Sequence, residues 1–148
     1  MKVGILGGGQ LARMLALAGH PLGVETAFLD PATAPCAAPV ARQIQGAYDD
    51  GERVAELARD AAAVTYDLEA VPAATIDLLS ELSAVHPNPA ALATTRDRLR
   101  EKTLFREQGI PTAPFAAVDS RADLEAAVAE IGLPAVLKTR SFGYDGKG

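Results

Sequence analysis

An α/β fold with a parallel sheet is predicted by three observations in the first 86 residues. An apolar run, Val3 to Leu6, is broken by three glycines and followed by helical spacing at Leu11, Met14, Leu15 and Ala18. After the breaker cluster Gly19-His20-Pro21-Leu22-Gly23, a second apolar run spans Val24 to Leu29 and ends at Asp30. The alternation then continues with a helical pattern and a third apolar run, Ala62 to Tyr66. Strands alternating with helices at this spacing predict parallel pairing with helices on the sheet faces.

The first turn carries the densest signal. Gly7, Gly9 and Ala12 fit Gly-x-Gly-x-x-Gly/Ala, in which small residues let the turn close, a ligand approach the backbone and the helix pack on its strand. The helix N-terminus is expected to offer unpaired backbone N–H groups to an anion. Asp30 lies about twenty residues on, where a dinucleotide fold places the acid that holds a ribose hydroxyl; an Asp before Pro31 is equally a common turn start.

Residues 31 to 41, with three prolines, predict an irregular connection in which Cys36 is a small buried side chain. A short strand at Gln43 to Gln45 follows. Asp49-Asp50-Gly51 opens a helix with Val54, Leu57 and Ala58 on one face. Beyond Tyr66, Asp67 and Glu69 alternate in an extended segment at a strand end, so both are placed to face a crevice; a solvated acidic loop explains them too. Ile76, Leu79 and Leu82 mark a helix begun near Pro72, and Ala84 to His86 a last short strand.

One charged helix is predicted from Thr95 to Gln108, stopped by Gly109. Its apolar members are Leu99, Leu104 and Phe105. The cations at 96, 98, 100, 102 and 106 are expected to be laced with Asp97, Glu101 and Glu107, one of them free to meet a phosphate. Pro111 to Pro114 reads as a linker and Phe115 to Val118 as a strand. Ser120 caps a helix whose buried stripe is Leu124, Val128 and Ile131. Ala135 to Lys138 is a further strand, and Ser141 to Gly148 a glycine-rich loop. A lysine at a strand end before such a loop suits a phosphate, though the order Gly-Lys-Ser/Thr of a P-loop is absent.

At 148 residues, with 49% hydrophobic and 22% charged residues, the chain is long and apolar enough for a real core. Its net charge of −5 argues against nonspecific nucleic-acid binding. Cys36 is the single cysteine, which excludes an internal disulfide and fits a reducing compartment. Neither a signal peptide nor a run of membrane-spanning length is visible, so a cytoplasmic location without membrane contact is expected. His20 and His86 have no second His or Cys at ligand spacing and read as polar surface residues. Ending in a glycine loop just after a strand that needs neighbours, the sequence reads as the front part of a longer protein.

Five motifs in order, Gly7-Gly-Gly-Gln-Leu-Ala-Arg-Met14, Thr65-Tyr-Asp-Leu-Glu-Ala-Val-Pro72, Asp97-Arg-Leu-Arg-Glu-Lys-Thr-Leu-Phe105, Pro111-Thr-Ala-Pro114 and Leu137-Lys-Thr-Arg-Ser-Phe-Gly-Tyr-Asp-Gly-Lys-Gly148, run the length of the chain. Together they resemble the N5-carboxyaminoimidazole ribonucleotide synthetases, ATP-grasp ligases of purine biosynthesis. The resemblance implies a Rossmann-like pre-ATP-grasp domain over residues 1–95 and the beginning of an ATP-grasp domain over 96–148. It implies carboxylation of aminoimidazole ribonucleotide with ATP and bicarbonate, through carboxyphosphate, by a homodimer.

On this resemblance Gly9, Gln10, Leu11 and Glu69 bind the ribonucleotide. Arg98, Lys138 and the loop Gly143, Tyr144, Asp145, Gly146, Lys147 and Gly148 bind ATP, with Tyr144 and Asp145 also at the reacting amine. Mg²⁺ is implied as a cofactor, with its carboxylate ligands beyond Gly148; no metal ligand is assigned within the chain. The family usually has Gly at Ala12, Glu at Asp67, Asn at Ala70 and Gly at Phe142. Two alternatives stand beside it. Formate-dependent phosphoribosylglycinamide formyltransferase shares the layout but carries Glu at Gln10, while an NAD-dependent oxidoreductase accounts for Gly7, Gly9, Ala12 and Asp30 and leaves Lys138 and the terminal loop unexplained. A noncatalytic interaction domain is a third.

Overall fold

The structure is a computed structural model that describes residues 1–67, 71–141 and 143. The chain forms two compact units, Met1–Leu92 and Ala93–Gly148.

In the first unit, β1 (Lys2–Leu6), β2 (Glu25–Asp30), β3 (Arg42–Gln45) and β4 (Ala63–Tyr66) form one parallel sheet in the order β3-β2-β1-β4. Register pairs Leu6 with Leu29 and with Tyr66, so β1, β2 and β4 end level. The chain leaves β1 toward β2 on one side and returns to β4 on the other, which opens a crevice beyond the C-terminal ends of β1 and β4. The expected strand at Ala84 to His86 is a single bridge, Val85 to Val64.

Alternation along the strands divides the core between two faces. Leu6, Leu29 and Val64 pack with Val54, Leu57, Ile76 and Leu79 from α2 (Gly51–Ala58) and α3 (Ala73–Leu82). Ile5 and Phe28 pack with Ala12 of α1 (Gln10–Gly19) and Ala37. Asp50 caps α2, its Oδ1 accepting from the Glu52 and Arg53 N–H groups at 3.1 and 3.2 Å. Leu82, expected on the buried face of α3, is exposed.

Helix α1 corrects the sequence pattern. Its buried residues are Ala12 and Ala16, whereas Leu11, Met14, Leu15 and Leu17 are all exposed. Small side chains let the helix sit close against Phe28, so the larger apolar stripe that announced the helix lies away from the sheet.

A helix absent from the expectations, α4 (Pro89–Thr95), buries Leu92. The single charged helix expected from Thr95 to Gln108 begins instead at Arg98: Asp97 stops the preceding turn and caps α5 (Arg98–Glu107) through the Leu99 and Arg100 N–H groups. Among the described residues no ion pair laces its cations. Lys102 and Arg106 stand over the Phe115 ring, 5.3 and 4.8 Å from its centroid. Ser120 caps α6 (Arg121–Ile131) as expected, but of its face only Ala127 is buried, with Leu124 and Val128 half-buried and Ile131 at the surface.

The expected strands at Phe115 to Val118 and Ala135 to Lys138 form no ladder among the described residues. A strand is a pairing, and without a neighbour to take its N–H and C=O groups an extended apolar run stays a loop. Val136 and Leu137 are accordingly exposed.

Candidate functional site

The glycine turn lies at the crevice. Gly7 takes φ +97°, a left-handed conformation suited to glycine, and its N–H donates to Leu29 O at 2.9 Å. A Cβ on Gly8 would stand 2.6 Å from the Phe28 ring and 2.9 Å from Pro35, so packing forbids any larger residue there.

Asp30 closes the turn from the end of β2. Its Oδ2 accepts from the Gly8 N–H at 2.8 Å and the Tyr48 hydroxyl at 3.0 Å, and its Oδ1 accepts from the Ala32 N–H at 2.8 Å. The sequence left this residue between ribose acid and turn acid, and both of its oxygens are engaged as the latter. Burial first, and the Asp30 charge second, push the Tyr48 hydroxyl well above its ordinary range, so it stays a donor to Asp30.

Asp67 approaches from the end of β4, its own N–H held by Leu6 O at 3.0 Å. Its Oδ2 accepts from the N–H groups of Gly9 at 3.1 Å and Ala12 at 3.3 Å. Burial is the largest influence on this carboxyl and raises it above the ordinary carboxylate range; the two N–H groups oppose that shift and the Asp30 charge adds to it. This corrects the expectation of unpaired N–H groups at the start of α1. Gly8, Gly9 and Ala12 already serve carboxylates of the chain, and Arg13 N–H donates to Gly9 O. The Gln10 and Leu11 N–H groups are the first-turn donors without a partner among the described residues. With two carboxylates at the turn, an incoming phosphate meets like charge and a sugar or ring that accepts hydrogen bonds does not.

The proline-rich connection is a wall of this site, which its composition did not reveal. Ala37 N–H donates to Gly8 O at 2.9 Å, and Arg13 Nη1 to Cys36 O at 3.2 Å. Cys36, expected to be buried, is exposed, and its Sγ donates to Gln10 Oε1 at 2.9 Å. Ala37 beside it fills the core position. The thiol thereby orients the Gln10 amide with Nε2 left to donate.

In the second unit Arg98 reaches the segment that carries Lys138. Its N–H donates to Arg140 O at 2.9 Å, and its guanidinium to Thr139 O at 2.9 Å and to Gly143 O. Lys138 is exposed and makes no ion pair among the described residues. Of the remaining sequence-predicted site residues, Glu69, Tyr144, Asp145, Gly146, Lys147 and Gly148 lie outside the described residues, as do Ala70 and Phe142. No group of His, Cys, Asp and Glu among the described residues could hold a metal ion, and no described helix is long and apolar enough to cross a membrane.

A parallel sheet with a glycine-rich turn after its first strand makes the first unit a Rossmann-like α/β domain. Residues 1–96 match the ribonucleotide synthetase preATP-grasp domain and residues 103–148 the ATP-grasp domain, and the chain belongs to the former family. All 148 residues are similar, at 55% identity, to the N5-carboxyaminoimidazole ribonucleotide synthase of Pseudomonas aeruginosa, and they span 41% of its length. Among solved structures, the N5-carboxyaminoimidazole ribonucleotide synthetase of Thermus thermophilus superposes with TM-score 0.88 at 47% identity, covering 93% of this chain and 38% of that one. The Staphylococcus aureus N5-carboxyaminoimidazole synthetase complexed with ADP gives TM-score 0.92 at 34% identity, covering 99% and 40%. The chain thus spans about two fifths of the proteins it matches.

Proposed function

We propose that this chain is part of an ATP-grasp ligase that carboxylates 5-aminoimidazole ribonucleotide with ATP and bicarbonate, through carboxyphosphate, in purine biosynthesis. The observation that carries the reading is the 55% identity across the whole chain to such a synthase. Geometry adds a reason to set the NAD reading aside: both Asp30 oxygens are engaged within the fold, by the Gly8 and Ala32 N–H groups and the Tyr48 hydroxyl, so the carboxylate serves the turn and not a dinucleotide ribose.

In this proposal residues 1–95 present the ribonucleotide site and residues 96–148 begin the ATP site. Gln10 and Leu11 offer N–H groups, Gln10 its Nε2, and Gly9 a surface without side chain; Glu69 holds the same substrate. Arg98 braces the segment after Lys138, whose ammonium meets the ATP phosphates, and the backbone of Gly143 to Gly148 covers them. Asp145 orients or deprotonates the substrate amine, with Tyr144 beside it. Mg²⁺, held by carboxylates beyond Gly148, offsets phosphate charge. The protein acts in the cytoplasm as a homodimer.

The test is ADP release by the full-length protein with each substrate omitted in turn, alongside calorimetry with NAD(H) and with the ribonucleotide. Turnover that requires both bicarbonate and aminoimidazole ribonucleotide is expected, without NAD binding. Tight NAD binding and no response to the ribonucleotide would refute the proposal.

A further inference from the structure

We infer that Asp67 is a positioning residue for the ribonucleotide: by taking the Gly9 and Ala12 N–H groups it fixes the first turn of α1 and directs the substrate to the Gln10 and Leu11 N–H groups. The inference rests on the ribonucleotide reading above and goes beyond it, because it names the group that decides which donors of the turn are available.

Three observations lead to it. One oxygen, Oδ2, receives both bonds, 3.1 Å from Gly9 N and 3.3 Å from Ala12 N, so a single atom bridges the residue before α1 and its third residue. Two donors lie between those anchors, on Gln10 and Leu11, and neither has a partner among the described residues. The contact is also close: a Cβ on Gly9 would stand 3.0 Å from the same oxygen, so the glycine is what lets the carboxylate in. A helix N-terminus carries partial positive charge and normally attracts an anion from outside; here β4 supplies that anion from within the fold.

Asp67 acts through Gln10 and Leu11 and is not itself a substrate contact. Its backbone is tied to Leu6 O in line with the sheet, so the position of Oδ2 is inherited from the β1–β4 pairing. Losing that acceptor frees two N–H groups and the turn they hold, which spoils the aim of the other two donors. ATP binding, assigned to residues of the other unit, is left alone.

Steady-state kinetics on the full-length enzyme test this. Asp67→Ala is expected to raise the ribonucleotide KM about 10- to 100-fold, with the ATP KM within about twofold of the parent. Asp67→Asn, whose amide oxygen can accept both bonds, is expected to recover most of that loss. An unchanged ribonucleotide KM in Asp67→Ala, or equal losses in the Ala and Asn variants, overturns the inference, the second in favour of a direct charge contact.

Amide exchange on the unsubstituted protein keeps the test open if Asp67→Ala does not fold. Gly9 and Ala12 should be protected without ligand, while Gln10 and Leu11 become protected only on adding the ribonucleotide. Protection gained at Gly9 and Ala12 and not at Gln10 and Leu11 would reverse the assignment. A parent enzyme indifferent to the ribonucleotide overturns the functional reading and this inference together, whereas a responsive parent with an unaffected Asp67→Ala variant overturns the inference alone.

Discussion

Residues 1–92 and residues 93–148 differ in how far each satisfies itself. In the first unit each strand has a partner, helices cover both faces, and every buried apolar side chain among the described residues but one lies there. In the second unit that one is Ala127, and Leu133, Val136 and Leu137 are exposed. The apolar runs are of similar quality: Ala135 to Leu137 reads much like Ala63 to Val64. Burial is therefore conferred by neighbours and not by the run itself. The first unit also neutralises its own special groups, placing carboxylates on the N–H groups of its glycine turn, while the second leaves Lys138 without an ion pair among the described residues.

The largest effect expected tests the proposed division of labour, in which the second unit carries the chemistry and the first positions the ribonucleotide. In the full-length protein Asp145→Asn should lower carboxylation by roughly two to four orders of magnitude with ATP affinity nearly unchanged, measured as carboxylated product and ADP release. A nearly normal rate would reduce Asp145 to a turn residue and remove chemistry from the loop.

Next comes the core. Phe28→Ala should destabilise the first unit by about 3–5 kcal/mol in urea unfolding, since its ring is fully buried beneath the glycine turn. Leu124→Ala in half-buried α6 should cost about 1 kcal/mol or less. Equal costs would erase the contrast between the units. At the helix termini, Asp50→Ala should cost α2 about 1 kcal/mol, because two N–H groups lose their acceptor.

A finer comparison uses one carboxylate from each unit. Burial holds Asp67 above its ordinary range, so the stability its protonation contributes is complete below the unfolded-state value and is lost as pH rises through the folded one. Hydrogen bonding to Ser120 holds Asp123 below that range, so its contribution is present above the unfolded-state value and is lost as pH falls through the folded one. Carbon-detected NMR titration of both carboxyls should show displacements of opposite sign, and a common sign would contradict the assigned causes. The smallest effect belongs to the exposed Arg121–Glu125 pair at 3.0 Å: Arg121→Ala should change stability by about 0.5 kcal/mol or less in thermal unfolding.

Local signals determined much of this protein. Apolar runs bounded by glycine and proline placed β1, β2 and β4 within a residue or two, and Asp50 and Ser120 announced α2 and α6, because strand burial and helix capping are written in short stretches of chain. The glycine turn was equally legible. What neighbours supply was not. The Leu stripe of α1 marked a helix but named the wrong face, since the sheet selected Ala12 and Ala16 by close approach. Asp97 moved the start of the expected charged helix to Arg98, and among the described residues the runs at Phe115 and Ala135 have no partner strand. At the candidate site, residues far apart in sequence had to meet: Asp30 with Gly8 and Tyr48, Asp67 with Gly9 and Ala12, Cys36 with Gln10. A carboxylate's role depends on which N–H groups lie within about 3 Å of it, and that distance is set by sheet order and register, which no single segment contains.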